Sequence, residues 1–266
     1  MQFAPHLLRQ RILEMAYAGQ SVHVSCAFSI VEIVSELYGR RLKFNPKNAS
    51  DPNRDYLVLS KGHGVMALYA AFQEVGWIKD EDLKNYFKDG SLLRGLAESD
   101  IPGLEATAGS LGHGLPIATG IALGLRRRKK PNQVYCIVGD GEMNEGPMWE
   151  SCLFAAHHRL DNLCIIVDAN EYQAMGTTES ILNMESLVEK FRSFGFESCE
   201  VDGHDVQKLG DEFDRLSQTS GKPKAMIART VKGRGVSFME RDNRWHYTRV
   251  NAETLERSLR ELHGNA

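Results

Sequence analysis

The sequence predicts an α/β fold in three layers, with a mostly parallel sheet and helices on both of its faces. Two observations predict this class. Short apolar runs alternate with longer stretches of helical pattern through almost the whole chain, and polar or glycine-rich turns follow the apolar runs. A strand–helix–strand order of this kind is typical of parallel sheets, because each helix carries the chain back across one face of the sheet.

The elements can be assigned in chain order. The N-terminal segment has an amphipathic helical pattern, and further helices are predicted at residues 65–75, 115–128, 148–159 and 206–216. Strands are predicted at residues 56–59 (YLVL), 134–138 (VYCIV), 163–167 (LCIIV) and 225–228 (AMIA). The uninterrupted runs VYCIV and LCIIV are typical of strands that are buried on both faces.

One domain over residues 1–266 is the simplest organisation. A chain of 266 residues with 42% hydrophobic content is long enough to bury a full core. The sequence contains no repeat, no low-complexity linker and no break in composition that would mark a boundary.

Charge and composition argue against several classes of partner. The net charge is −3, which does not favour a broad nucleic-acid surface. The basic run at residues 126–130 ends a helical pattern before Pro131, where cations stabilise the negative end of the helix dipole. No apolar stretch approaches the ~20 residues that span a bilayer, and no secretory segment is present. We therefore expect a soluble cytoplasmic protein that binds neither nucleic acid nor membrane.

The five cysteines give no indication of a metal site. They form no CxxC pair and show no metal-ligand spacing. Cys136 and Cys164 lie inside predicted strands, where a free cysteine behaves as a small buried hydrophobe.

The most informative segment is residues 138–170, which contains GDGEMNEG and ends in DAN. Asp140 directly follows one predicted strand, and Asn170 follows the next. Because ligands bind beyond the carboxyl ends of the strands in a doubly wound sheet, these side chains should converge. Their oxygens suit Mg²⁺ when phosphates supply further ligands, and Gly139 and Gly141 permit close approach to a diphosphate. Asp-Gly by itself is typical of a β-turn, so the spacing of Asp140 and Asn170 carries the prediction.

This pattern resembles the signature of thiamine-diphosphate enzymes, in which GDG and a later Asn hold a divalent ion against the cofactor's diphosphate. The resemblance implies that Asp140, Asn170 and the backbone carbonyl of Tyr172 bind Mg²⁺. It also implies that Gly141 and Asn170 contact thiamine diphosphate.

Further motifs narrow the resemblance. VLSKGHG, GSLGHGL, GDGEMNEG, LDNL, FGFESCEVDGHD and TVKGRGVSFMERDNRWH follow one another along the chain. In order and spacing they resemble the N-terminal domain of transketolase over about residues 5–250, especially the split form, in which separate polypeptides carry the N-terminal and C-terminal portions. The resemblance implies a thiamine-diphosphate-binding fold. It also implies transfer of a two-carbon ketol unit from a ketose donor to an aldose acceptor, with thiamine diphosphate and Mg²⁺.

Three histidines acquire roles from the resemblance. His63, in SKGHG, contacts the cofactor near the reacting carbon, and His246, in RWH, lies near the diphosphate and the bound sugar. His23 meets the hydroxyls of the donor or acceptor. We expect these groups to polarise substrate oxygens or to move protons there. Without the resemblance, each would be interpreted as an exposed or structural histidine.

Two more segments receive roles in the same way. Gly109, Ser110 and Leu111 form the loop beside the cofactor, and Glu145 belongs to a carboxylate network between subunits. Without the resemblance, Glu145 is a solvated acid in the first turn of a helix. The glycine spacing of GSLGHG differs from GxGxxG, so a dinucleotide fingerprint is not indicated.

The sequence departs from the family pattern at two positions. Val22 stands where the S-G-H motif has glycine, and Leu96 stands where the G-H-P motif has histidine. Leu96 cannot donate a hydrogen bond to a sugar hydroxyl. We therefore expect the donor or the acceptor to differ from a standard pentose phosphate.

One group of the family's site is missing from this chain. In the family, a glutamate of a following domain bonds the cofactor's aminopyrimidine, and here the sequence stops at Ala266. We expect a partner subunit with the pyrimidine-binding domain, in an assembly of two copies of each chain. Two alternatives stay open: the α subunit of a 2-oxo acid decarboxylating enzyme, and a catalytically silent interaction subunit.

Overall fold

Residues 3–264, the part of the chain that the structure describes, form a five-stranded sheet flanked by helices in a computed structural model. The strands are β1 (Tyr56–Leu59), β2 (Val134–Gly139), β3 (Leu163–Ala169), β4 (Glu197–Asp202) and β5 (Lys224–Arg229). Their order across the sheet is β1-β2-β3-β5-β4, and each neighbouring pair is parallel. The predicted α/β class with a parallel sheet is confirmed.

Helices make most of the connections between these strands. Those within residues 3–264 are α1 (Pro5–Ala18), α2 (Val24–Phe28), α3 (Val31–Glu36), α4 (Met66–Val75), α5 (Asp80–Lys84), α6 (Gly114–Arg127), α7 (Gly146–His157), α8 (Thr178–Leu182), α9 (Leu187–Ser193), α10 (Val206–Ser217) and α11 (Ala252–Gly264). Short 3-10 turns lie at Gly62–Gly64, Gly141–Asn144 and Asn243–His246. These turns carry the SKGHG, GDG and RWH motifs.

Side chains of each strand alternate between two buried clusters, one on each face of the sheet. Tyr135 and Ile137 of β2 belong to one cluster, whereas Cys136 and Val138 belong to the other, as the two-residue period of a strand requires. The first cluster includes apolar residues of α1, α2, α3, α4, α10 and α11, and the second those of α6, α7 and α9. Helices therefore cover both faces, and the predicted three layers are present.

Several elements within residues 3–264 differ from the sequence prediction, among them six helices that it did not assign: α2, α3, α5, α8, α9 and α11. The helix predicted at residues 148–159 begins and ends two residues earlier, because Pro147 lies in its first turn and pre-sets the helical φ. Strand β4 is not among the predicted strands. It lies at the edge of the sheet with alternating burial, and Glu197 and Glu200 interrupt any apolar run that would have marked it.

Other expectations agree with the structure. Helix α6 ends at Arg127, and residues 128–130 are exposed. All five cysteines are free and buried. Across residues 3–264, every helix is too short or too polar to span a bilayer.

Candidate functional site

Polar side chains from several loops meet at the carboxyl edge of the sheet. The SKGHG turn follows β1, Asp140 follows β2, Asn170 follows β3, and Lys232 comes three residues after β5. Parallel strands all end at the same edge of a sheet, so these loops are neighbours in space although they are far apart in sequence.

Asp140 is held against the loop that follows β3. The register pairs Gly139 with Asp168, so the segments that follow β2 and β3 leave the sheet side by side. Oδ2 of Asp140 accepts a hydrogen bond from the backbone N–H of Glu171 at 2.6 Å, and Oδ1 accepts one from Gly141 at 2.7 Å. The carboxylate therefore has a fixed orientation beside residue 170, as predicted.

The side-chain amide of Asn170 is oriented at both ends. Its Nδ2 donates to Oδ2 of Asp168 at 2.7 Å, and its Oδ1 accepts from the backbone N–H of Tyr172 at 3.0 Å. Among residues 3–264, no hydrogen bond ends on the carbonyl oxygen of Tyr172. Asn170 and Tyr172 are thus joined by a hydrogen bond, and Asp140 is bonded to Glu171, which lies between them in the chain.

This donor set fits a hard divalent cation. Asp140 is buried without a cation in contact, and burial raises the pKa of its carboxyl to about 7. Burying an unpaired carboxylate is unfavourable, and a bound divalent ion would hold it ionised. Residues 3–264 contain no cluster of three or more His, Cys, Asp or Glu suited to a metal. Neutral oxygens such as those of Asn170 and Tyr172, together with phosphate oxygens, would suit the other ligand positions of such an ion.

A cavity of about 290 Å³ opens beside Asp140 and Tyr172. Gly141 borders the same turn, and a Cβ at this position would come within 2.6 Å of Cγ of Gln173. A side chain at position 141 would therefore crowd Gln173, which would have to move aside.

A buried ion pair beneath this edge was not found by sequence reasoning. The ammonium of Lys61, in SKGHG, pairs with Asp168 near the end of β3, and both side chains are almost fully buried. Asp168 also accepts hydrogen bonds from Ser29, Asn170 and Thr230. Burial would raise the pKa of Asp168, but the charge of Lys61 and these bonds outweigh it and lower the pKa. The pair ties the SKGHG turn to the strand that presents Asn170.

The structure brings together the three histidines that the resemblance selected. The ring centroids of His23 and His63 lie 5.4 Å apart, those of His23 and His246 5.3 Å, and those of His63 and His246 5.7 Å. The exposed ring of Tyr247 lies 4.7 Å from that of His246. We call His23, His63 and His246 the histidine cluster.

The backbone of His23 is strained. Its φ of 70° lies in the left-handed region, which few non-glycine residues adopt. Such a conformation costs on the order of 1–3 kcal/mol and persists where surrounding contacts fix it. The N–H of His23 donates to the carbonyl of His246 at 3.2 Å. This bond joins the strained backbone of His23 to a second histidine of the cluster.

The rings of the histidine cluster are neutral at pH 7. Burial, followed by the charges of Lys232 and Lys61, lowers the pKa of His23 to about 4. Burial and the charge of Lys232 lower the pKa of His246 to about 3, and burial and Lys61 lower that of His63. A neutral imidazole has one donor and one acceptor, so the cluster can present both kinds of group to substrate oxygens.

Lys232 is a second functional residue that sequence reasoning missed. It is almost fully buried, and its Nζ lies 2.7 Å from Nδ1 of His246 and 2.8 Å from Oδ1 of Asn243. Its position in TVKGRG, just after a strand end, was the available signal. The same ammonium lies 5.7 Å from the centre of the Tyr172 ring, so neighbouring polar and aromatic groups receive its buried charge.

Glu142 connects the predicted cofactor loop to the edge of the sheet. Its Oε1 accepts from Oγ of Ser60 at 2.5 Å and from the backbone N–H of Gly112 at 2.9 Å, and its Oε2 accepts from Gly139 at 3.1 Å. The loop residues themselves are exposed: Gly109, Ser110 and Leu111.

The same loop also approaches the SKGHG turn. A Cβ at Gly62 would lie 1.7 Å from the carbonyl oxygen of Ala108, so only glycine allows the two backbones to meet. The backbone that leads into the exposed loop is therefore held against Gly62, the neighbour of His63 in the chain.

Glu145 lies outside the histidine cluster. It is exposed at the start of α7, and within the described residues its carboxylate has no hydrogen-bond partner. Its Cβ would lie 2.8 Å from a Cβ added at Gly112, so it borders the cofactor loop on the outer surface. The subunit network predicted for Glu145 stays a prediction.

Residues 6–265 match the family model described as transketolase, thiamine diphosphate binding domain. One relative is a subunit of the apulose-4-phosphate transketolase of Actinobacillus succinogenes, which is 39% identical over 241 residues, or 90% of this chain and 87% of that protein. 6-Deoxy-6-sulfo-D-fructose transketolase subunit SqwG of a Clostridium species is 36% identical over 263 residues, which are 98% of this chain and 96% of that protein.

Solved structures of transketolases also match this chain over almost its whole length. The transketolase of Campylobacter jejuni superposes with a TM-score of 0.90 at 29% identity, covering 99% of this chain and 43% of that one. The transketolase of Leishmania mexicana superposes with a TM-score of 0.89 at 26% identity, covering 97% and 40%. The chain thus spans less than half the length of the solved enzymes that it matches.

Proposed function

This chain belongs to the transketolase family, as a thiamine-diphosphate-binding domain, and from this we propose that it is the N-terminal subunit of a transketolase-like enzyme in the cytoplasm. The proposed reaction transfers a two-carbon ketol unit from a ketose donor to an aldose acceptor. The observation that carries the proposal is the histidine cluster, whose ring centroids lie within 5.7 Å of one another at the strand edge that holds Asp140 and Asn170.

The proposed metal site supports this function. We propose that Asp140, Asn170 and the carbonyl of Tyr172 hold Mg²⁺. Gly141, Asn170 and the loop of Gly109, Ser110 and Leu111 would border the cofactor, with His63 and His246 on its other side. The hard oxygen donors described above are the ligands that Mg²⁺ prefers when phosphate oxygens complete its coordination.

The chain's own residues would bind and orient the reacting groups. Thiamine diphosphate, when bound, supplies the electron sink needed to break and form a carbon–carbon bond beside a carbonyl. His246, with Nδ1 facing Lys232, would donate a hydrogen bond through Nε2 to a substrate oxygen. His23 and His63, also neutral, would accept or donate at neighbouring hydroxyls. A neutral ring can accept a proton at one nitrogen while it releases the proton on the other, so that no net charge is left on it.

We propose a non-standard sugar as donor or acceptor. Leu96 lies beside Gly109, whose added Cβ would meet Cδ1 of Leu96 at 2.7 Å. A hydrocarbon therefore stands next to the proposed cofactor loop, where the family motif has a histidine. The names of two relatives, which refer to apulose 4-phosphate and to 6-deoxy-6-sulfo-D-fructose, agree with a substrate outside the common pentose phosphates.

We also propose a partner subunit that carries the pyrimidine-binding domain. Relatives of similar length are named as subunits. Helices α6 and α7 pack together and expose Ile117, Leu153 and Phe154, and exposed apolar groups of this kind mark interaction surfaces. Glu145 directly precedes α7, so it would lie at such an interaction surface, as the proposed network between subunits requires. An assembly with two copies of each chain follows the two-fold symmetry common among oligomers.

A binding and activity assay tests the proposal. Calorimetry with thiamine diphosphate and Mg²⁺ should detect weak binding to this chain and tighter binding once the partner is added, because binding to the assembled state stabilises it. Ketol transfer should require both chains. Binding without transfer in the assembled pair would favour a catalytically silent subunit, and robust turnover by this chain alone would contradict the proposed partnership.

A further inference from the structure

A groove of about 700 Å³ runs beside His23 and is separate from the cavity at Asp140. Val22, Phe87 and Leu96 form an apolar part of its lining, and the last two are exposed. Because Leu96 packs on the loop proposed to border the cofactor, the groove leads from that loop outward along the surface.

Three cations line this groove, Lys88, Arg94 and Arg249, and within residues 3–264 only Arg94 is paired with carboxylates. Arg94, which also lines the groove, is paired with Glu98 at 2.6 Å and with Asp100 at 2.8 Å. Arg249 donates from Nε to the backbone carbonyl of Gln20 at 2.8 Å, and within residues 3–264 no carboxylate pairs with its guanidinium. Its two terminal nitrogens are therefore oriented by the Nε bond and remain able to bind an anion.

Arg249 is bonded to the chain segment that leads into His23. The segments 20–23 and 246–249 lie alongside each other, joined by the bond from His23 to the His246 carbonyl and by the bond from Arg249 to Gln20. Three residues of extended chain span at most about 11 Å. The guanidinium is therefore anchored to the chain three residues from His23, and both residues line the groove.

We propose that Arg249 binds an anionic group, a phosphate or a sulfonate, at the distal end of the sugar that reacts at the histidine cluster. The inference rests on the proposed function and adds a specificity-determining residue to it. A guanidinium presents parallel donors that match tetrahedral oxyanions. The apolar wall of Val22, Phe87 and Leu96 favours a sugar with few free hydroxyls between its reacting carbon and its anionic end.

Binding to the full chain tests this site without any need for turnover. The probes are glycerol 3-phosphate and 2,3-dihydroxypropane-1-sulfonate, with glycerol as the uncharged reference, and the readout is the NMR signal of the Arg249 Nε–H and of the Val22 and Leu96 amides. At least one of the two anionic probes should shift these signals. The probe that binds more tightly shows whether the site prefers a phosphate or a sulfonate. Arg249→Ala should weaken that affinity by roughly tenfold to a hundredfold.

Arg260→Ala is the matched control, because Arg260 is an exposed arginine of α11 paired with Glu256. Its affinity for the probes should equal that of the wild type. An equal response to glycerol, no response to either anion, or unchanged affinity in Arg249→Ala would overturn the inference.

Kinetics of the assembled pair separate this inference from the proposed function. With D-glyceraldehyde 3-phosphate as acceptor, Arg249→Ala should raise KM, whereas with D-glyceraldehyde it should leave KM unchanged. If the wild-type pair transfers no ketol unit to any acceptor, the proposed function fails, and the binding experiment still decides whether Arg249 is an anion site. Ketol transfer with equal KM values in both enzymes would overturn the role of Arg249 alone.

Discussion

Nζ of Lys232 lies 2.7 Å from Nδ1 of His246. An ammonium group has donors and no acceptor, so Nδ1 of His246 must accept this bond and the ring proton must sit on Nε2. The neutral ring is maintained because burial and the charge of Lys232 lower the pKa of His246 to about 3. Lys232 is thus a positioning residue, because its bond to Nδ1 leaves the protonated Nε2 of His246 to face the cluster.

The first prediction concerns this tautomer. In the wild type at pH 7, ¹⁵N NMR of labelled histidine should show His246 protonated at Nε2 and unprotonated at Nδ1. Lys232→Met should raise the pKa of His246, since a positive neighbour is lost, and should mix the two tautomers. Lys222→Met, at an exposed lysine, should change neither. A wild-type His246 protonated at Nδ1 would contradict the assignment.

The second prediction concerns the proposed metal ligands. Asp140→Asn should nearly abolish cofactor binding that depends on Mg²⁺, because a neutral oxygen replaces the anionic ligand. Calorimetry with thiamine diphosphate at limiting Mg²⁺ measures the effect. Asp211→Asn, at an exposed position of α10, serves as the control. Unchanged cofactor affinity in Asp140→Asn would remove Asp140 from the metal site.

The third prediction concerns Leu96 and substrate choice. The assembled enzyme should use xylulose 5-phosphate and ribose 5-phosphate poorly, because the pocket lacks a hydrogen-bonding side chain at this position. Leu96→His should raise kcat/KM for this pair. Leu92→His is a matched control, since Leu92 and Leu96 are each 40% exposed and Leu92 lies outside the groove lining. Wild-type turnover as efficient as that of an ordinary transketolase would show the idea to be wrong.

The fourth prediction concerns the buried pair of Lys61 and Asp168. Lys61→Met leaves the carboxylate of Asp168 buried without a cation, and the free energy of unfolding should fall by about 3–5 kcal/mol. The double variant Lys61→Met/Asp168→Asn should recover part of this loss, because neither charge then remains unpaired. Urea unfolding measures both. A double variant less stable than Lys61→Met would indicate that the pair stabilises the fold in another way.

The fifth prediction concerns acid stability. Buried Glu32 bonds Arg9 at 2.6 Å and His204 at 2.9 Å. Burial would raise the pKa of Glu32, but His204 and Arg9 outweigh it and lower the pKa from 4.5 to about 2. Because the folded pKa is depressed, this stabilisation is present above pH 4.5 and is lost as the pH falls toward 2.

Urea midpoints between pH 7 and pH 2.5 test this sign. Glu32→Gln should lower the free energy of unfolding by about 3 kcal/mol at pH 7, and its difference from the wild type should shrink as the pH falls. Glu256→Gln, on the exposed face of α11, should follow the wild type throughout. A difference that stays constant from pH 7 to pH 2.5 would contradict the assignment of the acid effect to Glu32.

Four of the five strands and five of the eleven helices within residues 3–264 were predicted, because their signals are local. The apolar runs of β2 and β3 mark strands buried on both faces, and their ends place Asp140 and Asn170 at one edge of the sheet. Strand β4 was missed because Glu197, Ser198 and Glu200 leave no continuous apolar run in it, and Glu200 is exposed. Its position next to β5 depends on a pairing between distant segments, which local periodicity does not encode.

The histidine cluster shows which features the sequence reveals and which depend on the tertiary structure. The motifs that contain His23, His63 and His246 are readable one by one, and the resemblance gave each a role. Nothing in their sequence spacing indicates that their rings lie 5.3 to 5.7 Å apart. That distance is a product of the sheet, which brings the loop after β1 and the loop after β5 to the same edge.

The sequence by itself determined the class of fold, the order of the elements and the chemistry available at the carboxyl edge. Only the tertiary structure decided which groups face the buried charges: Asp168 faces Lys61, Nδ1 of His246 faces Lys232, and the backbone N–H of Gly112 faces Glu142. The physical reason is that burial makes a charge tolerable only where a partner is present. The partners here come from segments 14 to 107 residues apart, and only the folded chain brings such segments into contact.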